Sequence, residues 1–364
     1  MTRRSCAADV GQASSLTVPA ASGRPHLGNP RNVDVTMCSV MKRASSPWPC
    51  GSGPVVVGGV GGSGTRVIAQ ILTDLGYYLG QELNGPLDNL WFTFLLKRPK
   101  WYRRVAHDKA RVVQGLRILE LAMRGEPIRA YSDKAFVARA AMEHALCLSN
   151  PPAQNGFWPM AQAWKLLVTR PKPPHESRAW GWKEPNSHLY LQQIAEYFPA
   201  AKYIHAVRHG LDMAFSGNQQ QAENWGWLFG VKPADSPDEL PRASLEFWVK
   251  ANQRAVEIGR QLGEKRFMLL NFDQLCAAPA SGVRQMLDFL EIKVEPAKVD
   301  ELARIPRVPK SARRHRQQDL SQFPAALVQA VRNFGFEVEA EESEKRIAIA
   351  KEAAKSPLVK NQIK

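Results

Sequence analysis

The chain is expected to fold as an α/β protein, a central parallel sheet flanked by helices, and three features predict it. Short apolar runs at residues 55–57, 202–207 and 267–271 have the length of buried strands. Longer amphipathic runs of helical period separate them, the alternation that builds a parallel sheet. The first run passes through Gly58-Gly59-Val60-Gly61-Gly62-Ser63-Gly64 directly into a helical pattern, Val67-Ile68-Ala69-Gln70-Ile71-Leu72. At 364 residues, 44% hydrophobic and 23% charged, the chain can bury a sizeable core in one large domain or two smaller ones.

Residues 1–53 are rich in Ser, Ala, Gly, Pro and Arg without periodicity. They are expected to be a disordered leader, or an over-long start with Met37 or Met41 as the initiator. The folded domain is expected over 54–335. After the first strand and helix, residues 80–89 form a polar, turn-rich stretch. A helix over 88–96 would take Asp88 as its cap. Helices follow at 105–124 and 134–148, and Pro151, Pro152, Pro171, Pro173 and Pro174 punctuate the next connections. Further helices are expected at 187–197, 241–262 (ending at Gly263), 280–290 and 321–333. The remainder, 336–364, alternates acidic and basic residues and is expected to be a solvated C-terminal tail.

Forty-nine Lys and Arg against 34 Asp and Glu give a net charge of +15, a field that favours anionic ligands. Cys6, Cys38, Cys50, Cys147 and Cys276 form no C-x-x-C pair, which argues against a zinc site or a disulfide framework and for a reducing compartment. No apolar run reaches the roughly 20 residues of a membrane span, and no signal-peptide pattern opens the chain, so a cytoplasmic location is expected. No metal-ligand cluster is visible in the sequence, and no metal is expected.

A strand that turns through glycines into a helix aims backbone N–H groups and a helix N-terminus at one point, a ready-made anion site. Walker A spacing matches at Gly59 and Gly64, but Thr65-Arg66 stands where Lys-Ser/Thr would be. The loop thus suits phosphate without suiting an ATPase. Candidate contacts are the N–H groups of Gly61, Gly62, Ser63, Gly64 and Thr65, the Ser63 and Thr65 hydroxyls, and Arg66. A second stretch, residues 204–218, repeats this logic: a strand ends at Arg208 and a helix follows. Ser216 lies eight residues on, where a turn and short helix would return its hydroxyl beside the guanidinium to clamp a phosphate.

With these two loops in place, the chain resembles the sulfotransferases that use 3′-phosphoadenosine-5′-phosphosulfate. Gly181-Trp182-Lys183-Glu184-Pro185 and Phe198-Pro199-Ala200-Ala201-Lys202-Tyr203-Ile204 resemble the bacterial members' run ahead of the Arg. Residues 270–279, with Phe289-Leu290, are similar to the family's downstream strand–helix junction. Residues 310–316 resemble its C-terminal basic loop. The resemblance spans about residues 54–335 and implies a P-loop-like sulfotransferase architecture.

It also implies roles. The first loop would hold the 5′-phosphosulfate, Arg208 and Ser216 the 3′-phosphate, Arg313, Arg314 and Arg316 the nucleotide, and Lys183 the transferring sulfuryl group. Many members carry Lys or Arg where this chain has Gly62, so Arg66 or Lys183 would supply that cation. For the acceptor's proton the candidates are Asp88 and Glu82, placed near where similar tyrosyl-protein sulfotransferases carry a catalytic Glu, with Glu184 and His188 besides. The acceptor, a hydroxyl or amine of a carbohydrate, tyrosine, lipid or small metabolite, is left open. Trp91, Phe92, Phe94, Trp101, Tyr102, Trp225 and Trp227 are expected to be mostly core, with an acceptor groove as the alternative. His107, His144 and His175 are expected to be structural. An ATP-dependent P-loop small-molecule kinase is the alternative function, weakened by the missing Walker lysine. No nucleic-acid motif accompanies the charge.

Overall fold

The computed structural model describes Trp48 and residues 53–146, 157–169 and 172–338. Most of the expected leader and tail therefore lies outside the described residues. Trp48, ahead of Pro54, is buried in stacks with Tyr78 and Trp180. Phe336 is buried beside Trp248.

Five parallel strands form the centre: β1 (Val55–Gly59), β2 (Tyr77–Tyr78), β3 (Ala179–Lys183), β4 (Lys202–Val207) and β5 (Phe267–Asn271), in the order β2-β3-β1-β4-β5. Every ladder is parallel. The chain leaves β1 toward one edge and later crosses to β4 on the other side, so the strand order reverses beside β1. Ligands of open α/β sheets bind at the C-terminal end of such a reversal.

Alternation along the strands divides the core. Val55 and Val57 join Ile204, Ala206, Met268 and Leu270 beneath helices α1 (Thr65–Asp74) and Pro279–Leu290. Val56, Trp180, Trp182 and Tyr203 face the opposite layer, where α2 (Leu90–Leu96) and the helices Lys109–Met123, Tyr131–Ala145 and Leu240–Leu262 pack. The α/β architecture is as the sequence predicts.

Several elements differ from expectation. The helix expected over 105–124 starts later, at Lys109, because Asp108 caps it by accepting from Arg111 N–H, and a separate short helix, Pro99–Val105, precedes it. The one expected at 187–197 begins as a 3₁₀ turn, Pro185–Tyr190, before Leu191–Tyr197. The cap of α2 is Asn89, whose Oδ1 accepts from Phe92 N–H at 2.9 Å, and not Asp88. Only Asn89 has its side chain turned inward, where it also donates to Leu79 O. Asp88 is thereby left for another partner.

Candidate active site

Sheet register brings the sequence motifs to one edge. Lys183 pairs with Val57 and Gly59 with Ala206. Lys183 at the end of β3, the glycine loop after β1 and Arg208 after β4 are therefore neighbours, although 58 to 208 spans much of the chain. Between them opens a cavity of about 500 Å³. Arg66, Lys97, Lys183, Arg208 and Arg307 line it, with Asp88 as the carboxylate among its lining residues. Such a wall favours a polyanion.

The loop makes an anion cradle through its backbone. Gly62 and Gly64 adopt φ of +93° and +84°, conformations that L side chains resist. A Cβ on Gly62 would meet only Met213 Cε, at 3.7 Å, so conformation rather than space selects glycine there. The N–H groups of Gly62, Gly64, Thr65 and Arg66 have no protein partner among the described residues, the last two opening α1. Three expected donors are otherwise engaged. Gly61 N–H donates to Gln221 Oε1 at 2.8 Å, and both Ser63 N–H and Ser63 Oγ donate to Val60 O. Ser63 is fully buried, turned into the loop, while Thr65 and Arg66 line the cavity.

Arg208 is 8% exposed and donates to Ser311 Oγ at 2.9 Å. Its Nη1 lies 3.5 Å from Gly62 O, and its Nε is buried without a hydrogen-bond partner among the described residues. Burial pulls the guanidinium pKa down, against the carboxylates of Asp273 and Asp212. Ser216 is not among the hydrogen-bond partners of Arg208. The intervening helix, Gly210–Ala214, is a little over one turn long, and Ser216 Oγ accepts instead from Asn218 N–H at 3.3 Å.

The C-terminal basic loop is clipped to that same helix. Asp212 takes Arg313 N–H at 2.7 Å, His315 N–H at 3.1 Å and His315 Nδ1 at 2.7 Å. Burial pushes the Asp212 carboxyl up, but these hydrogen bonds outweigh it and hold it down at about 2. Arg314 donates to Ser311 O and Phe215 O, and Arg313 and Arg316 are exposed. None of the three lines the cavity, whereas Arg307 and Pro309 do. His209, Asp212 and His315 could together approach a metal ion, a cluster the linear sequence does not reveal. The two rings are stacked, however, at 4.1 Å and 16°. In-plane lone pairs of parallel rings do not converge on one ion, and both Asp212 oxygens already accept hydrogen bonds; the group reads as a hydrogen-bonded clip.

Lys183 is 2% exposed, and its Nζ donates to Asp88 Oδ1 and, at 3.0 Å, to Pro86 O. This pairs the candidate cation with a candidate base at the cavity wall. The other base candidates sit elsewhere. Glu82 accepts from Lys165 Nζ at 2.6 Å, away from the lining. Glu184 is fully buried, caps the 3₁₀ turn through Asn186 N–H at 2.6 Å and pairs with Lys97 at 3.3 Å. Burial raises its pKa, against the pull of Lys97. His188 is buried between His205 and Phe229, and burial drives its pKa well below the ordinary imidazole value. Trp91, Phe92, Phe94, Trp101, Tyr102 and Trp225 are core, with Trp225 also reaching the cavity wall. His144 is structural, stacked on Phe94 and bonded to its carbonyl.

Sequence reasoning missed Gln221, Lys97, Arg307 and Ser311. Gln221, Lys97 and Arg307 reach the site from segments without a motif, and Ser311 lies in the 310–316 loop, where the sequence pointed only to the arginines.

Residues 54–296 match the model of the sulfotransferase family, and the chain belongs to that family. Among solved structures it is similar to the sulfotransferase domain of the Synechococcus PCC 7002 olefin synthase, at 16% identity and a TM-score of 0.41, covering 81% of this chain and 98% of that one. It is also similar to sulfotransferase STF9 from Mycobacterium avium, at 14% identity and a TM-score of 0.40, covering 80% and 79%. No curated protein matches the chain.

Proposed function

We propose that the protein transfers a sulfuryl group from 3′-phosphoadenosine-5′-phosphosulfate to a hydroxyl or amine acceptor. The observation that supports it most is Arg208 in the wall of a cationic cavity, beside a glycine loop with four unpartnered N–H groups. That donor set fits a nucleotide with phosphate at both ends. The N–H groups of Gly62, Gly64, Thr65 and Arg66 would take the 5′ end, and Arg208 with Ser311 the 3′-phosphate. When bound, the nucleotide supplies an activated sulfuryl group and a good leaving phosphate.

The rest falls to this chain. Asp88 is the carboxylate positioned to accept the acceptor's proton, and Lys183 the cation positioned against charge developing on the transferred group. Their mutual hydrogen bond holds both side chains at the wall before any substrate arrives, so little reorganisation remains for the reaction. Glu184, buried behind Lys183 and paired with Lys97, acts as a prop and not as the base. Arg66 and Lys183 together stand in for a cation at Gly62. A kinase reading is less well served, because no lysine occupies the Walker position beside Gly64.

Thermal shift with EDTA present tests the donor. Adenosine 3′,5′-bisphosphate is expected to raise the Tm well above the effect of ADP at equal concentration. Equal shifts, or a shift confined to MgATP, would overturn the reading.

A further inference from the structure

Large apolar side chains left in water are few among the described residues, and most of them gather in one place. Tyr131, Met142, Leu146, Phe157, Met160, Trp164 and Val168 lie on, or at the ends of, one adjoining pair of helices, against only Leu269 and Val308 elsewhere among the described residues. The pair is Tyr131–Ala145 and Trp158–Trp164, the latter running on into a π turn, Lys165–Thr169, and the two helices pack on each other. Phe157, Met160 and Trp164 stand at i, i+3 and i+7, on one outward face, while Pro159, Gln162 and Leu166 point inward. Phe157 is 82% and Trp164 60% exposed, far from the usual fate of such rings.

The charge around this face is one-sided. Between residues 127 and 175 the acids are Asp133 and Glu143, and both are consumed by ion pairs, with Arg117 and with Arg98 and Arg104. Arg129, Lys134 and Arg139, on or beside the first of these helices, are exposed. Aromatic and aliphatic groups flanked by cations, with no exposed unpaired carboxylate among them, complement the anionic interface of a lipid bilayer. A second copy of this chain would oppose like charges. Lys165, whose aliphatic stem shares the helix, is fastened by Glu82 at the head of the turn that carries Asp88, which ties this surface to the cavity wall.

We propose that the outward face of these two helices docks on anionic membranes, with Phe157 and Trp164 entering the interface and Lys134 and Arg139 held by lipid headgroups. The proposal is independent of the reaction assigned above. Flotation of the full chain with phosphatidylcholine vesicles, with and without phosphatidylserine, tests it. The wild type is expected to float only with the anionic vesicles. Phe157→Ser/Trp164→Ser is expected to lose about tenfold or more in partition, as is Lys134→Glu/Arg139→Glu. These are exposed positions, so an unchanged Tm is expected alongside, and Val308→Ser, exposed elsewhere, is expected to float like the wild type. No flotation with anionic vesicles would overturn the proposal. So would equal flotation of the Phe157/Trp164 variant, which would assign binding to the overall +15 charge. Capture of a protein partner in the absence of vesicle binding would overturn it too.

Discussion

Replacing Lys183 by Met removes a cation whose side chain is only 3% exposed, while that of Asp88 beside it keeps 16%. Lys183 Nζ serves both the Asp88 carboxylate and the Pro86 carbonyl. A hydrogen bond to a charged group contributes about 1.5–3 kcal/mol, and breaking a wholly buried pair costs about 3–5. Because Asp88 reaches the cavity and its water, the lower range applies, and Lys183→Met should destabilise the protein by about 2 kcal/mol. Asp88→Asn keeps the shape and removes the charge. If the two side chains are held together, the double variant should be more stable than additivity predicts, with a coupling of about 1–2 kcal/mol by denaturant unfolding. The same variants should retain nucleotide affinity, which resides in the loop and Arg208, while turnover falls by about 100-fold or more. A coupling below about 0.5 kcal/mol would show that the pair is not formed in solution and would refute the reasoning.

Gly64→Ala puts a Cβ at a φ of +84° and 2.1 Å from Phe272 Cδ2. Left-handed backbone costs roughly 1–2 kcal/mol and overpacking roughly 1–3, so a loss of about 2–5 kcal/mol is expected by denaturant unfolding. A change under that range would mean that the loop relaxes freely. His205 is buried against Asn252, and burial lowers its pKa from 6.5 to about 4 despite that hydrogen bond. It stays neutral when folded, whereas the unfolded chain takes up the proton, so its contribution is complete above pH 6.5 and is lost as pH falls toward 4. Roughly 3 kcal/mol should disappear over that window, and His205→Asn should flatten the slope seen by pH-dependent unfolding. Glu82→Gln should leave turnover within about twofold, since its carboxylate is spent on Lys165 outside the cavity, in contrast to Asp88→Asn.

Much of the frame was legible in the sequence because its signals are local. The apolar runs of β1, β4 and β5 lie between glycines and amphipathic helices, and the glycine loop and Arg208 follow their strands directly. β3 was not legible as a strand: Ala-Trp-Gly-Trp-Lys has neither strict alternation nor β-branched residues. Gly181 is there because a Cβ would lie 1.9 Å from Val55 O, a constraint set by the neighbouring strand and invisible in the sequence. β2 has only two residues, too few for a pattern. The site divides in the same way. Lys183 and the loop could be named from motifs, but the pairing of Lys183 with Asp88 and of Arg208 with Ser311 crosses about a hundred residues. The cap of α2 illustrates the limit, since Asp88 and Asn89 are adjacent and equally suited, and tertiary contacts alone assign Asn89 inward and Asp88 to the cavity.

The most direct test of the central claim is calorimetric titration of adenosine 3′,5′-bisphosphate, without metal, into the wild type and Arg208→Ala. Micromolar binding by the wild type, weakened about tenfold or more in the variant, is the predicted result, given a lost charge-assisted contact. Equal binding by both would separate Arg208 from the nucleotide. No binding by the wild type, with MgATP binding in its place, would contradict the sulfuryl-transfer account itself.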